Sequence, residues 1–271
     1  IMYRAPDTLV AYDSSAPRLT VFLASGSLEA TVPLRATDGR PEVYLGTSES
    51  GLHAGAWIIQ GPRDRSVVTP DQMQVGVFDA AGQLLERIHA APGMRRFANA
   101  PLPFSPHFVG LMLGDSLFMT DGLGGLIQVR GVHGEAPRSF EAETEPQPRD
   151  EAWSRLDAAL DSTRAAMFPD VGGHPAADSI PAISEMLSDG HGRLWLTRYD
   201  AATDSHWLGR PRTGGEWLVI TTAGDMVATF TAPSRFRVMD VRGGHVAGVA
   251  VDELGVERVQ VFEVLGWTPD S

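Results

Sequence analysis

A short phrase recurs five times along this chain: a valine, followed five residues later by a glycine. It reads VFLASG at Val21–Gly26, VFDAAG at Val77–Gly82, VRGVHG at Val129–Gly134, VITTAG at Val219–Gly224 and VFEVLG at Val261–Gly266. Each copy is an apolar run ending in a turn residue, the pattern of a strand entering a tight hairpin. The glycines at 26, 82, 134, 224 and 266 lie 56, 52, 90 and 42 residues apart. The third interval aside, this is the length of one four-stranded propeller blade, roughly 40 to 50 residues. The spacing predicts an all-β chain: a β-propeller of four-stranded antiparallel blades, with five blade units visible in the sequence. Each blade buries its faces against its neighbours, so residues 1–271 read as one domain.

Charge and composition narrow the function classes. The formal net charge of -12 argues against nucleic acid, whose phosphates need a basic face, and against anionic lipid. There is no cysteine, which excludes disulfides, thiolate metal sites and a cysteine nucleophile. All 22 basic residues are arginine, which excludes a Schiff-base lysine. No stretch approaches the roughly 20 apolar residues of a membrane span.

The blade units follow from alternating apolar runs bounded by Asp, Ser, Pro and Gly. The first has strands over 8–13, 18–23 and 28–34. The second has 42–46, 54–60, 74–79 and 84–90, and the third 108–113, 116–120, 126–130 and 136–142. The fourth has 183–187, 193–199, 216–221 and 226–231, and the fifth 236–241, 245–251 and 257–264. The long interval is explained by a proline-rich helical insertion over 145–181, between the third and fourth units. Within it Trp153, Leu156, Leu160, Thr163 and Met167 fall at helical spacing, which predicts an amphipathic helix over 150–168. Asp150 and Glu151 suit its positive end, and Pro169 stops it. That stripe either covers the outside of a blade or forms a docking helix.

The fifth unit lacks an outer strand after its glycine, and the first begins at or just before its second strand. The expectation is therefore of sequence missing before Ile1, at least one outer strand and with it a whole sixth blade; a closed ring of five is the alternative.

Several segments carry a family resemblance. Asp189-Gly190-His191-Gly192-Arg193-Leu194-Trp195 gives a D-G-x-G-R-L-W turn and strand. Glu216-Trp217-Leu218-Val219-Ile220 with Gly224, the run from Asp252 to Val259, Asp7-Thr8-Leu9-Val10 through Asp13, and Arg18-Leu19-Thr20-Val21-Phe22 follow the same scheme. In these the chain resembles six-bladed β-propellers of the NHL/TolB-like type, bacterial proteins of unknown function. The resemblance implies a sixth, N-terminal blade that this chain lacks, and an extracytoplasmic location, periplasmic or membrane-anchored through an N-terminal segment. It implies nothing about activity, since this architecture hosts unrelated functions.

Chemistry-bearing motifs are sparse. Asp13, Asp79, Asp121, Asp189, Asp200, Asp240 and Asp252 stand at strand ends, where their carboxylates suit the amides of tight turns; a calcium site is the alternative. The eight histidines, His53, His89, His107, His133, His174, His191, His206 and His245, form no HExxH and no close pair. No G-x-S-x-G elbow is present. The sequence therefore assigns no catalytic residue, no cofactor-binding residue, no metal ligand and no cofactor. Trp57, Trp195 and Trp217 read as core. Trp207, with Arg210 and Arg212, lies on the long loop 201–215 and reads as a contact surface or as a tryptophan tucked on its own blade. The candidate partner contacts are thus Trp153, Leu156, Trp207, Arg210 and Arg212.

These features point to a non-enzymatic extracytoplasmic scaffold that binds a protein partner. One form would be an accessory subunit of a membrane-bound electron-transfer or photosynthetic complex. The alternative is a lactonase- or lyase-like enzyme, or a small-ligand binder, using the central channel.

Overall fold

A computed structural model describes residues 2–4, 8–62, 67–97, 100–160, 180–204, 213–265 and 267. The strands are β1 (Met2–Arg4), β2 (Thr8–Asp13), β3 (Arg18–Leu23), β4 (Leu28–Pro33), β5 (Val43–Thr47), β6 (His53–Ile59), β7 (Thr69–Phe78), β8 (Leu84–Phe97), β9 (Ala100–Pro101), β10 (Val109–Leu113), β11 (Ser116–Thr120), β12 (Leu126–Gly131), β13 (Arg138–Glu141), β14 (Ile183–Ser188), β15 (Arg193–Arg198), β16 (Gly215–Thr221), β17 (Met226–Ala232), β18 (Phe236–Arg242), β19 (His245–Val251) and β20 (Glu257–Glu263). Among the described residues two helices interrupt them, α1 (Arg149–Ala159) and α2 (Ala201–Asp204).

Among the described residues the named strands pair antiparallel with their sequential neighbours, giving five consecutive sheets: β1–β4, β5–β9, β10–β13, β14–β17 and β18–β20. The first strands of successive sheets, β5, β10, β14 and β18, lie beside one another, so the sheets fan out from an inner row as propeller blades do. The strand alternation supplies two packing faces per sheet. Val10, Leu19 and Val21 of the first sheet pack on Trp57 and Phe78 of the second. Val75 and Val77 of the second meet Leu117 and Met119 of the third. Ile127 and Val129 of the third meet Leu194, Leu196, Leu218 and Ile220 of the fourth. The intervening Trp195, Trp217 and Val219 point to the other side, onto Phe236, Val238 and Val246 of the fifth. Trp57 and Trp195 are wholly buried and Trp217 is 2% exposed, the core role that the sequence assigns them.

The repeated phrase corresponds to a bulge followed by a hairpin turn. Register shifts fall at Val21/Phe22, Val77/Phe78 and Val219/Ile220, immediately before three of the turns. At the second turn, Gly82 donates to the Asp79 carbonyl, Asp79 pairs with Gln83, and Gly82 takes φ 80°. A side chain assists: Asp79 Oδ1 accepts from the amides of Ala81 and Gln83. Asp189 Oδ1 does the same for His191 and Arg193, and Asp252 Oδ1 for Leu254 and Val256. Asp13 caps Ser15 and Ala16, Asp121 caps Leu123, and Asp200 caps Ala202. Asp240 instead faces Arg242 at 3.6 Å. Among the described residues, no group of three or more His, Asp or Glu side chains is placed to share a metal ion.

Three details differ from the sequence reading. The first sheet has an inner strand, Met2–Arg4, which the apolar pattern is too short to mark. The second sheet has five strands, because β7 and β8 run past the end of β6 and β9 folds back on Phe97. The buried Asp71 holds this extension, accepting from Arg96 Nε at 2.7 Å and from the Gly61 amide. Helix α1 ends at Ala159, since Leu160 is extended at φ -70°, ψ 126°; it is shorter than the expected 150–168, and Thr163 and Met167 lie outside the described residues. The fifth sheet, by contrast, shows the three expected strands among the described residues, with β20 at its edge.

Candidate functional site

In a meander of four strands, the first and third connections leave one end of the sheet and the second leaves the other, with the link to the next blade. In this chain the first kind is uniformly short: 24–27, 48–52, 79–83, 114–115, 132–137, 189–192, 222–225 and 243–244. Every long connection leaves the opposite end: β4 to β5, β6 to β7, β9 to β10, β13 to β14 and β15 to β16. One end of the array is therefore closed by stereotyped turns, and the other carries all the elaboration, where binding surfaces are usually placed.

The elaborations are not loose there. Phe104, Ala152, Leu156, Ile180, Tyr199 and Ala201 form a buried cluster of their own, with Trp153, Ala159 and Leu160 against it. Four separate segments contribute: the link from β9 to β10, helix α1, the approach to β14, and the loop after β15. Phe104 sits at their centre, 1% exposed, with its ring edge-on to Trp153 at 4.9 Å and to Tyr199 at 6.4 Å. Its φ of 58° lies in the left-handed region, rare for a bulky side chain and retained only where surroundings enforce it. Polar bonds tie the same parts together. Arg155 binds Asp200 at 2.6 Å and approaches Glu151 at 3.6 Å. Gln147 donates to Glu151 and accepts from the Ala201 amide.

Beneath the cluster, His107 donates its Nε2 proton to the Ser184 carbonyl at 3.2 Å and lies 5.9 Å from the Tyr199 ring. Burial pushes its pKa below the usual histidine value, outweighing the hydrogen bond and the nearby charge of Asp121. Burial lowers His89 as well, aided by the Arg130 guanidinium.

The candidate contacts from the sequence separate clearly. Leu156 is completely buried, so it is a packing residue and offers nothing to a partner. Trp153 is half-buried, with one side against Phe104. The solvent side of α1 instead carries Glu151, Ser154, Arg155 and Asp157. Trp207, Arg210 and Arg212 lie outside the described residues. Sequence reasoning missed Phe104, Tyr199 and Asp200 as organisers of this surface. Nothing in the string brings the segments holding Phe104, α1 and Tyr199 together.

The fold and this surface define an all-β array of propeller blades with one ornamented end. No protein-family model and no curated protein matches the chain. Among solved structures it is similar to Kuenenia stuttgartiensis hydrazine synthase, with 12% identity and a TM-score of 0.42, covering 95% of this chain and 60% of that one. A member of the DUF4221 family from Bacteroides vulgatus gives 7% identity and 0.44, covering 95% and 76%. The Myceliophthora thermophila Cps50 (Swd1) β-propeller domain gives 10% identity and 0.40, covering 100% and 70%. The chain thus spans about three fifths of the hydrazine synthase chain it matches. These likenesses are distant, and the blade architecture rests on the strand pairing and interleaved cores described above.

Proposed function

We propose that this chain is a non-enzymatic extracytoplasmic scaffold whose ornamented end docks a protein partner. The observation that carries this is the gathering of four separate connections onto one end, where they build a buried cluster around Phe104. Such a cluster holds its outer surface in one shape before any partner arrives, which lowers the ordering cost of binding. The net charge of -12 favours a partner with a basic face. The finer reading is an accessory subunit resting on a membrane-bound complex. Among the described residues no helix is long and apolar enough to cross a membrane.

The test is cross-linking mass spectrometry on protein purified gently from its native membranes. With no lysine in the chain, amine-reactive reagents miss nearly everything, so carboxylate-reactive dihydrazides are used on the 34 acidic residues. Cross-links from Glu151, Asp157 or Asp204 to one partner support the reading. Cross-links confined to the end with the tight turns, or recovery as an uncross-linked monomer, overturn it.

A further inference from the structure

The repeated phrase has one outlier. Val21, Val77, Val129 and Val219 sit on the third strand of the first four sheets, each between 1% and 6% exposed and packed against the next sheet of the array. Val261 holds the same place on β20 and is 61% exposed; Val259, on the same face, is 79% exposed. Ala247 and Val249 of β19 stand opposite them and widen the apolar face. Among the described residues no strand follows β20. Trp267, beyond the turn, lies against the fourth sheet instead, 5.7 Å from the Trp195 ring and 4.4 Å from the Arg193 guanidinium.

The edge of β20 is open in a defined way. Just outside the strand, the Val264 amide donates to the Gly244 carbonyl at 2.7 Å and the Asp252 amide to the Val256 carbonyl at 3.0 Å. Hydrogen-bonded and non-bonded pairs alternate along an antiparallel ladder, and β19 and β20 pair without a register shift. Arg258, Gln260 and Phe262 therefore exchange bonds with β19, while Glu257, Val259, Val261 and Glu263 turn their amides and carbonyls outward. Exposed edges are normally guarded by proline, lysine or a bulge. The β20 sequence, ERVQVFE, has none of these.

We propose that β20 captures an extended segment of another protein as a fourth, antiparallel strand. The side chains set its chemistry. Residues directly opposite one another share a face. The segment thus presents apolar residues to Val259 and Val261, and basic residues to Glu257 and Glu263, which are both exposed. The motif is basic-x-apolar-x-apolar-x-basic. A second copy of this chain is the poorer occupant. The register that sets Val259 against Val261 across a twofold axis also sets Glu257 against Glu263 at both ends, and like charges directly opposite are destabilising.

The experiment titrates the full chain into fluorescein-labelled Arg-Thr-Val-Thr-Val-Thr-Arg amide and follows fluorescence anisotropy. The peptide binds. N-methylation of both its valines weakens binding by about tenfold or more, because those amides face β20, and glutamate at both ends does the same. In the chain, Val259→Pro removes an amide that points outward, so the ladder with β19 and the Tm are kept while peptide binding falls by about tenfold or more. The methylated peptide tests the backbone bonds with the chain unaltered, whatever the proline does to folding. No binding of the arginine-ended peptide, or equal binding of its methylated form, overturns the proposal. Dimerisation of the free chain that Val259→Pro abolishes also overturns it, and makes a second copy the occupant. This edge shares no residue with the cluster around Phe104, so it stands or falls separately from the docking function.

Discussion

The ring of Phe104 meets Trp153 edge to face at 4.9 Å, although the Phe104 backbone sits at φ 58°. This contact is one apolar link between helix α1 and the segment leading into β10, beside the buried Ala152 and Leu156. It belongs to a satellite cluster separate from the four inter-sheet cores. Trp153→Ala is therefore expected to loosen α1 locally by about 2 kcal/mol, which raises its open population roughly 30-fold. Limited proteolysis within 149–160 accelerates accordingly, while the Tm barely moves. A Tm loss as large as that of Trp57→Ala would show instead that the cluster melts together with the blades.

Arg155 and Asp200 fasten the same helix from its solvent side. The 2.6 Å pair is partly exposed on both sides, so its coupling energy is about 0.5–1 kcal/mol at low salt. A double-mutant cycle of Arg155→Ala and Asp200→Ala, read by proteolysis of α1, measures it. The coupling shrinks as salt is raised, because exposed charges are screened. A coupling that does not change with salt would contradict this.

Two glycines of the repeated phrase separate backbone strain from crowding. Gly82 and Gly134 have φ of 80° and 86°, so alanine at either costs roughly 1–2 kcal/mol of left-handed strain. A Cβ on Gly134 meets nothing, whereas one on Gly82 would lie 2.0 Å from the Pro33 carbonyl oxygen. Gly82 also accepts from the Arg35 amide at 2.9 Å, joining the first sheet to the second. Gly82→Ala is expected to be clearly the more destabilising in urea melts, and equal losses would refute that order.

Much of the fold was legible because the repeat sets blade length, strand direction and turn chemistry together. Asp79, Asp189 and Asp252 each stand at the start of a turn and do the structural work their position suggests. The first strand escaped notice because three residues carry no period. The end of α1 was misplaced because the stripe continues in sequence beyond the point where Leu160 turns extended. The ornamented surface was least legible. Phe104 follows a proline-rich segment of no clear pattern, and its partners lie on α1 and after β15. Only the closing of the third and fourth blades brings those segments within reach. Leu156 shows the converse: an apolar helical position reads equally well as contact or core, and tertiary packing decides for core.

His107 and His89 together predict how stability depends on pH. Both have folded pKa values below the ordinary 6.5, chiefly through burial. The unfolded chain therefore binds protons first as the pH falls. Stability from these two groups is complete above about pH 7 and declines below 6.5, until each folded pKa is passed, by at most about 1.4 kcal/mol per pH unit for each group. Asp13 and Asp115 have folded pKa values below the usual carboxylate range. Asp13 is held mainly by its hydrogen bond with the Ser15 hydroxyl, and Asp115 mainly by the Ser50 amide, so their contributions persist until much lower pH. Urea melts at pH 7.5, 6.5 and 5.5 should show the decline. In His107→Gln, where the side-chain amide can still donate to the Ser184 carbonyl, the slope between 6.5 and 5.5 should be smaller. An unchanged slope in that variant would assign the acid sensitivity to other groups.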